Sequence, residues 1–430
     1  MRSLRVPAAL RGVASIVTGS VAGQAIVILS YPLLTRIYDP ADFGLLTVFT
    51  SVVGIVAVAS TATLEAAVPL PVEDRDAAAV AWAALASVVL VSLLTAAVGL
   101  VAAEPLAQLL GVPALADHWW LVVLTIAAIG AYLVFSEWMV RDRSYGALAR
   151  RNLLQGVGQV GTQLGFGVAG AGGTGLLLGL GVGRVAAMGG LLSHNGLLRQ
   201  QRPTLARLRA AVSRYRRFPL LAMPSALLNS AGLEVPLLLV AALYGDVSAG
   251  LLGLTVRVIS GPTAIIGQAV MQVFTGESSG ALRESKGDLG RTVRTAVRRL
   301  LLAGAVPAVL LLVAGPWLFA VVFGPEWRES GEYARLLALA YLGQCAVMPV
   351  SSTLFLLEQQ HRELGWVVLR LVLTTGGPLL CGLLGAPVSV AIATLAAGHV
   401  VAYAVLYRFC VKAADASDRE LRSSSLPPDE

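Results

Sequence analysis

Residues 34–60 read LTRIYDPADFGLLTVFTSVVGIVAVAS, a short polar stretch followed by an apolar run with no charged residue after Asp42. An apolar segment of about 20 residues is long enough to cross the hydrocarbon core of a bilayer as an α-helix. Asp39 is placed to cap such a helix, Pro40 suits its first position, and Asp42 falls in its first turn. The stretch therefore predicts an outer hairpin that leads into a membrane-spanning helix.

The whole chain has the composition of a membrane protein. Of its 430 residues, 56% are hydrophobic and 13% are charged, and the mean hydropathy is +0.76. Soluble domains contain about 25% charged residues, so a soluble class is excluded. Backbone groups in lipid must be hydrogen-bonded within the protein, and the sequence lacks the alternating strands of a membrane barrel. The spans are therefore predicted to be helices.

The apolar segments divide into two sets of six. A basic connector at 197–217 separates an N-terminal half, 1–196, from a C-terminal half, 218–411, and the polar tail 412–430 is predicted to be disordered and cytoplasmic. Because six is even, both halves enter the membrane in the same direction, and the substrate site is expected between them. The predicted fold is an all-α integral membrane protein with about 12 transmembrane helices in two six-helix halves around a central cavity. The predicted spans are 12–34, 43–68, 77–102, 118–140, 148–170, 174–195, 217–241, 247–274, 293–323, 333–357, 363–384 and 387–411.

The distribution of lysine and arginine predicts the orientation. With the N terminus in the cytoplasm, the inner connections and termini hold 26 of the 32 basic residues, whereas the outer loops hold two and the spans hold four. Basic residues are retained on the cytoplasmic side of membrane proteins. Both termini of this multi-pass protein are therefore predicted to lie in the cytoplasm, with the chain in the cytoplasmic (inner) membrane. The same bias explains the net charge of +7 without a nucleic-acid partner.

Ionisable residues within spans are the strongest functional indications in a membrane protein. Arg184 and Arg257 lie deep in predicted spans, one in each half. Two arrangements are open: structural ion pairs with Glu65 or Glu234, or exposure in a water-filled chamber. In a chamber, guanidinium groups would bind the phosphate oxygens of an anionic substrate. Residues nearer to span ends can reach the interface with their polar groups, and these are Glu137, Arg335 and Arg370.

Polar residues recur along one face of the fifth predicted span. Gln155, Gln159 and Gln163 are spaced by four, and they should face protein or water rather than lipid. They either form hydrogen bonds between helices or line a polar cavity. In the seventh span, Asn229 lies between two prolines and either satisfies their freed backbone groups or faces the cavity. Glycines at the same spacing of four are expected to permit close helix packing, and these are Gly161, Gly165, Gly175, Gly179 and Gly183.

The sequence motifs of soluble enzymes and cofactor-binding domains are either absent or lie where they cannot have their usual role. The stretch GVGQVG at 156–161 has the form of a dinucleotide-binding motif, but it lies inside a predicted span rather than after a strand. The sequence contains no GxSxG, HExxH or P-loop motif, and its three cysteines lack the spacing of a metal or redox site. We therefore expect no catalytic residues, no metal, no cofactor and no enzymatic activity.

Four stretches, in order, resemble one known family. The first lies within 34–60 and has the order LTR, an aromatic residue, a proline and DFG. The second is the carboxylate-containing LEAAVPLPVEDRDA at 64–77, and the third and fourth are the regions 250–274 and 323–360. Together they resemble the bacterial polysaccharide transporter (oligosaccharide flippase) family, whose superfamily also contains multidrug and toxic-compound exporters. The third stretch resembles the family's eighth-span region through Arg257, Gln268 and Gln272. Unlike many members, which carry Arg-Tyr before the second-span glutamate, this chain has Thr63 and Leu64 before Glu65.

The resemblance implies a flippase that moves a polyprenyl-diphosphate-linked oligosaccharide to the outer leaflet by alternating access, for surface polysaccharide such as lipopolysaccharide. Its partners would be this glycan lipid, membrane lipids and other polysaccharide-assembly proteins. Glu65 and Glu234 are the candidates for coupling to a proton or cation, and Arg36 and Arg370 for the cavity mouth or the membrane interface. The candidates for lining the substrate cavity are Arg184, Arg257, Gln155, Gln159, Gln163, Asn229, Gln268 and Gln272.

Two alternatives belong to other functional classes. A multidrug or cation exporter of the same superfamily would require acidic rather than basic residues deep in the cavity, and Arg184 and Arg257 disfavour it. A membrane polysaccharide polymerase or ligase would require sizeable outer loops with charged catalytic residues, whereas the outer loops here hold two basic residues in all.

Overall fold

The computed structural model describes residues 8–192, 196–283 and 288–424, and every regular element within these ranges is a helix. The all-α membrane class predicted from the sequence is confirmed, because eight helices of this described part are long and apolar enough to cross a membrane. The helices are α1 Ala8–Leu34, α2 Pro40–Ser60, α3 Asp74–Leu109, α4 Trp119–Arg141, α5 Tyr145–Val168, α6 Gly173–Leu192, α7 Leu205–Arg214, α8 Met223–Arg283, α9 Leu289–Phe323, α10 Arg328–Val347, α11 Ser352–Leu356, α12 Gln360–Leu383 and α13 Val388–Ser424.

Each of the twelve predicted spans overlaps a described helix, and the tenth is divided between α10 and α11 by a short 3-10 helix, Met348–Val350. The seventh and eighth spans are the two arms of α8, which is interrupted at Gly245 by a backbone at φ 85° and ψ 176° that favours glycine. The second span, predicted to continue to residue 68, ends as α2 at Ser60 and is followed by a short 3-10 helix, Leu64–Ala67. The end of the sixth predicted span, 193–195, lies outside the described residues.

The chain forms two compact units, Met1–Gly250 and Leu251–Glu430. The first arm of α8 belongs to the first unit because it packs on α2: the Ser230 hydroxyl donates a hydrogen bond of 3.1 Å to the carbonyl of Gly54. The division into halves at a connector, 197–217, stays a prediction.

The polar stretch before α2 starts that helix as the sequence predicts. The Asp39 carboxylate accepts a hydrogen bond of 2.9 Å from the backbone N–H of Asp42. The Asp42 carboxylate accepts one of 3.3 Å from the backbone N–H of Asp39. This reciprocal capping box, with Pro40 at the first helical position, satisfies donors that the helix itself leaves free. The interpretation of these residues as a helix start is confirmed.

Tyr38 connects the same hairpin to α5. Its hydroxyl donates a hydrogen bond of 2.6 Å to the backbone carbonyl of Gln163. Burial, with a smaller contribution from the nearby Asp42 charge, raises the pKa of Tyr38 to about 12. The hydroxyl therefore remains a protonated donor at neutral pH and holds the hairpin in place.

Helices α5 and α6 approach closely through the glycines of α6. A Cβ atom at Gly183 would lie 2.9 Å from the backbone oxygen of Gln155. At Gly161 and Gly165 of α5, a Cβ atom would meet no described atom within 4 Å. The prediction of glycine-mediated packing is confirmed for α6 and wrong for these two glycines of α5. The other α6 glycines in close contact with α5 or its surroundings are Gly175 and Gly179.

A buried apolar core occupies one end of the first unit. It joins Leu64–Ala67, the start of α3, the end of α4, the start of α5 and the end of α6. Trp138 and Met139 of α4 are each 1% exposed within it. This core fixes the ends of several helices relative to one another, and it therefore fixes the polar side chains at its margin.

In the second unit, α13 packs against α9, α10 and α12. The segment 412–424, predicted to be disordered from its polar composition, is instead the last part of α13, and 425–430 lie outside the described residues. The Asp418 carboxylate accepts hydrogen bonds of 2.9 Å each from the backbone N–H groups of Leu289 and Gly290. A tertiary contact, which composition does not reveal, thus explains why this polar segment is ordered.

The Asp418→Ala substitution is expected to lower the free energy of unfolding by about 1–2 kcal/mol, because it leaves two N–H groups at the start of α9 without their acceptor. Asp418 is 8% exposed, so water replaces the carboxylate poorly. The matched control is Asp415→Ala, which removes an exposed ion pair of 3.0 Å with Arg294 and should cost well under about 1 kcal/mol. Thermal unfolding of both variants in detergent measures the difference, and equal stability losses would contradict the capping role.

Candidate functional site

Two arginines of the first unit lie against one tyrosine ring. Tyr132 of α4 is 8% exposed and borders the apolar core. The guanidinium carbon of Arg151, in α5, lies 4.5 Å from the centroid of its ring, and that of Arg184, in α6, lies 5.1 Å away. Both are cation–π distances. Three neighbouring helices thus bring two positive charges to the same buried ring.

The hydrogen-bond partners of both guanidinium groups are neutral. Arg151 donates to the Ser136 hydroxyl at 2.6 Å and to the side-chain oxygen of Asn152 at 2.7 and 3.0 Å. Arg184 donates to the side-chain oxygen of Gln155 at 3.2 Å. Within the described residues, neither arginine forms an ion pair with a carboxylate. Their charges therefore remain available to an anion that reaches the cluster.

Two carboxylates border this arginine cluster. Glu137 of α4 is half-buried and lies within electrostatic reach of both Arg151 and Glu65. Oε2 of Glu65 is buried and accepts no hydrogen bond from the described part of the chain.

The backbone before Glu65 has an unusual conformation. Ala62 and Thr63 have φ values of 51° and 53°, in the left-handed region that residues with a Cβ atom rarely adopt. The Thr63 hydroxyl donates a hydrogen bond of 3.0 Å to the carbonyl of Phe218, which helps to hold this turn. Left-handed backbone at residues other than glycine persists where the surroundings enforce it, often near functional residues. Here the turn ends α2 and determines where Glu65 lies.

Arg141 holds the loop that follows Glu65. Its guanidinium donates to the carbonyl of Pro71 at 2.5 Å and to that of Val72 at 3.0 Å, and it forms an ion pair of 2.8 Å with Asp74. The end of α4 is therefore connected to the start of α3 across the segment that carries Glu65.

The three predicted glutamines have different surroundings. Gln155 binds Arg184 and so belongs to the arginine cluster. Gln163 is 2% exposed and donates a hydrogen bond of 3.1 Å to the carbonyl of Leu176 in α6. Gln159 lies in the contact between α5 and α6, beside Gly183. Hydrogen bonding between helices, one of the two roles left open by the sequence, thus describes Gln163.

The other predicted residues of the first unit lie elsewhere. Glu234 accepts a hydrogen bond of 2.8 Å from the buried Ser51 hydroxyl, in the middle of α2. Asn229 is exposed on α8, and Arg36 is exposed in the turn between α1 and α2. Glu65 and Glu234 therefore have separate local environments, although the sequence gives both the same candidate role.

The predicted residues of the second unit do not form one described cluster. Arg257 is half-buried in α8, whereas Gln268 and Gln272 are exposed on the same helix. Arg370 is 2% exposed, and its guanidinium carbon lies 4.8 Å from the centroid of the Trp366 ring. Arg370 is thus buried beside Trp366 of α12 and Tyr403 of α13, and its position at the cavity mouth or the membrane interface stays a prediction.

Arg151 is the member of the cluster that sequence reasoning missed. It was counted among the cytoplasmic basic residues because it falls at the boundary of the fifth predicted span. A signal was present, since Arg151, Gln155, Gln159 and Gln163 continue one spacing of four along a helix face. Glu137 was likewise assigned to the membrane interface from its position near a span end.

In the described residues, no group of three or more His, Cys, Asp or Glu side chains could hold a metal ion.

Comparison with known proteins gives a family match in sequence. A family model described as "Polysaccharide biosynthesis protein" matches residues 33–332, which is more than half of the chain. No curated protein matches the chain significantly in sequence.

Solved membrane transporters have a similar fold at low sequence identity. An inward-facing multidrug resistance MATE family transporter of the MOP superfamily has a TM-score of 0.69 and 15% identity, over 95% of this chain and 96% of its own. The lipid II flippase MurJ, in an inward closed conformation, has a TM-score of 0.69 and 10% identity, over 98% and 94%. A MOP superfamily transporter from Pyrococcus furiosus has a TM-score of 0.54 and 14% identity, over 95% and 96%. At these identities the likeness shows the fold alone.

Proposed function

Because the chain belongs to the polysaccharide biosynthesis protein family, we propose that it is a flippase that moves a polyprenyl-diphosphate-linked oligosaccharide across the cytoplasmic membrane. The observation that carries the proposal is the pair Arg151 and Arg184, whose guanidinium groups lie on one tyrosine ring with neutral hydrogen-bond partners. A diphosphate cannot enter hydrocarbon without groups that replace its water. Guanidinium groups supply such contacts, because their donors match phosphate oxygens bidentately.

The cluster suits a diphosphate in charge as well as in hydrogen bonding. Without a carboxylate partner, each guanidinium retains its positive charge where solvent screens it poorly, so its attraction for a phosphate is stronger than at an exposed site. Gln155 and Asn152 add amide donors beside the arginines, which suits the hydroxyl groups of a sugar. Arg257, which lies deep in a predicted span, stays a separate proposal from the sequence as a phosphate ligand of the second unit.

Glu65 and Glu137 are proposed to couple transport to a proton. Charged, Glu137 attracts Arg151 and competes with the substrate phosphate for it. Protonated, Glu137 no longer competes, so uptake of a proton and binding of the diphosphate favour each other. Glu65 is included because it lies within electrostatic reach of Glu137.

A depletion strain tests the proposed activity directly. We expect lipid-linked oligosaccharide to accumulate in the inner leaflet when this protein is depleted, since the charged head group crosses the hydrocarbon only with protein assistance. Leaflet distribution is measured in spheroplasts with a membrane-impermeant probe that modifies only outer-leaflet sugars. An unchanged distribution would overturn the proposal.

A multidrug exporter is the second candidate, because the fold is as similar to a MATE transporter as to MurJ, both with TM-scores of 0.69. The same depletion strain separates the two. The exporter hypothesis requires increased sensitivity to cationic drugs with normal surface polysaccharide, and the flippase proposal requires the reverse.

A further inference from the structure

The second unit contains a charged pocket at one end of α9. Its volume is about 820 Å³. Five basic and three acidic side chains line it: Arg291, Arg294, Arg362, Lys412, Arg419, Asp288, Asp415 and Asp418. None of these residues belongs to the arginine cluster described above, which lies in the first unit.

All three acidic residues interact with other parts of the chain. Asp415 accepts two hydrogen bonds of 3.0 Å from Arg294, and Asp418 accepts the backbone N–H groups at the start of α9. By contrast, the side chains of Arg291, Arg362 and Lys412 form no hydrogen bond or ion pair with the described residues. The pocket therefore has an excess of uncompensated positive charge, which favours a phosphate-sized anion.

An apolar groove adjoins this pocket, and Arg291 lines both. The groove has a volume of about 570 Å³ between α8 and α9. Val270, Val273, Phe274, Ala296 and Leu300 form its apolar lining, and its polar lining is Glu277, Arg291, Thr292, Thr295 and Arg299. Val273 is 62% exposed, so the groove opens at the surface of the unit.

We propose that the pocket and groove together bind one anionic phospholipid, with its phosphate at Arg291, Arg362 and Lys412 and an acyl chain in the groove. A basic pocket alone would suit a soluble phosphate or an acidic peptide equally well. The adjoining apolar groove favours a ligand that carries a charged head and a hydrocarbon tail on the same molecule. A groove of this volume accommodates an acyl chain better than a long polyprenyl chain. The proposed ligand is therefore a bilayer phospholipid.

Lipid binding by the full-length protein tests the head-group site. Delipidated protein in detergent is titrated with phosphatidylglycerol and, separately, with neutral phosphatidylcholine, and bound lipid is counted by native mass spectrometry. We expect phosphatidylglycerol to bind more tightly, and the double variant Arg291→Gln/Arg362→Gln to weaken that binding by about tenfold or more, because it removes two of the three basic side chains proposed to bind the phosphate. The charge-matched control is Arg298→Gln/Arg408→Gln, because both residues are exposed and line neither pocket nor groove.

A second pair of variants tests the groove. Val273→Asn should weaken the binding of a long-chain phosphatidylglycerol more than that of a short-chain one, because only the long chain fills the groove. Val306→Asn, at a residue that is 74% exposed and lies outside the groove, should change neither. Equal phosphatidylglycerol binding by both double variants, or no dependence on chain length at Val273, would overturn the proposal.

A third arm separates the two lipid sources that carry phosphate. Polyprenyl diphosphate that binds more tightly than phosphatidylglycerol, and depends on Arg291 and Arg362, would replace the phospholipid with the lipid-linked substrate. All three arms measure binding rather than transport. Their failure therefore leaves the proposed flippase activity in place, and loss of the flippase proposal leaves the lipid site in place.

Discussion

Replacing Arg151 and Arg184 together with alanine is expected to abolish surface polysaccharide while the protein stays folded in the membrane. The two guanidinium groups share the Tyr132 ring, and their hydrogen-bond partners are neutral. Their removal therefore breaks no direct ion pair within the described residues, and breaking a buried ion pair is a usual reason why loss of an arginine unfolds a protein. We expect the deficit to be in substrate binding rather than in folding.

The size of the effect follows from the strength of charged hydrogen bonds. A hydrogen bond to a charged group contributes about 1.5–3 kcal/mol, so each single variant should lower the transport rate by roughly 10- to 100-fold. Arg184→Lys should recover part of the loss, because an ammonium group keeps the charge but loses the planar donors and the stacking on Tyr132. Polymer on the cell surface is measured together with the amount of membrane-inserted protein.

The chain supplies a closely matched control for this experiment. Arg150 is the neighbour of Arg151 on α5, but its side chain is exposed. Arg150→Ala removes the same charge from the same helix turn and should leave polymer production near normal. Normal polymer in the Arg151/Arg184 double variant, or an equal defect in Arg150→Ala, would remove the cluster from the proposed mechanism.

Local chemistry explains where the sequence predicts the structure well. The start of α2 follows from Asp39, Pro40 and Asp42, whose capping role depends only on neighbours within one helical turn. The spans follow from hydropathy for a similar reason, since any helix in lipid must be apolar over its own length. The all-α class needed no knowledge of which helix packs on which.

Tertiary contacts explain where the sequence-based predictions fail. Arg370 is buried because Trp366 of α12 and Tyr403 of α13 lie beside it, and the sequence does not show that these residues meet. The tail is helical because Asp418 caps a helix more than a hundred residues earlier in the chain. Arg151 was missed because a span boundary assigned from hydropathy is uncertain by several residues. The arginine cluster was therefore predictable in part, through Arg184 and Gln155, but not as a cluster.

Replacing Gly44, the glycine of the DFG stretch, and Gly250 together with valine is expected to prevent folding of the first unit. A Cβ atom at Gly44 would overlap the backbone oxygen of Asp246, and one at Gly250 would overlap the backbone oxygen of Pro40. The two glycines thus hold the start of α2 and the second arm of α8 in backbone contact. Because the opposing atoms are backbone, no change of side-chain rotamer relieves the overlap, and the helices must move apart.

Overpacking in a well-packed core typically costs about 1–3 kcal/mol and sometimes more, and the total stability of a protein is commonly only about 5–15 kcal/mol. We therefore expect Gly44→Ala to lower thermal stability clearly and Gly44→Val/Gly250→Val to give no monodisperse protein in size-exclusion chromatography. Gly161→Ala is the control, because a Cβ atom there meets no described atom within 4 Å. Alanine is favoured over glycine within a helix by about 1 kcal/mol, so this control should be neutral or stabilising. A folded Gly44→Val/Gly250→Val protein would show that the two helices can separate without cost, and close backbone contact would then not explain the glycine of this stretch.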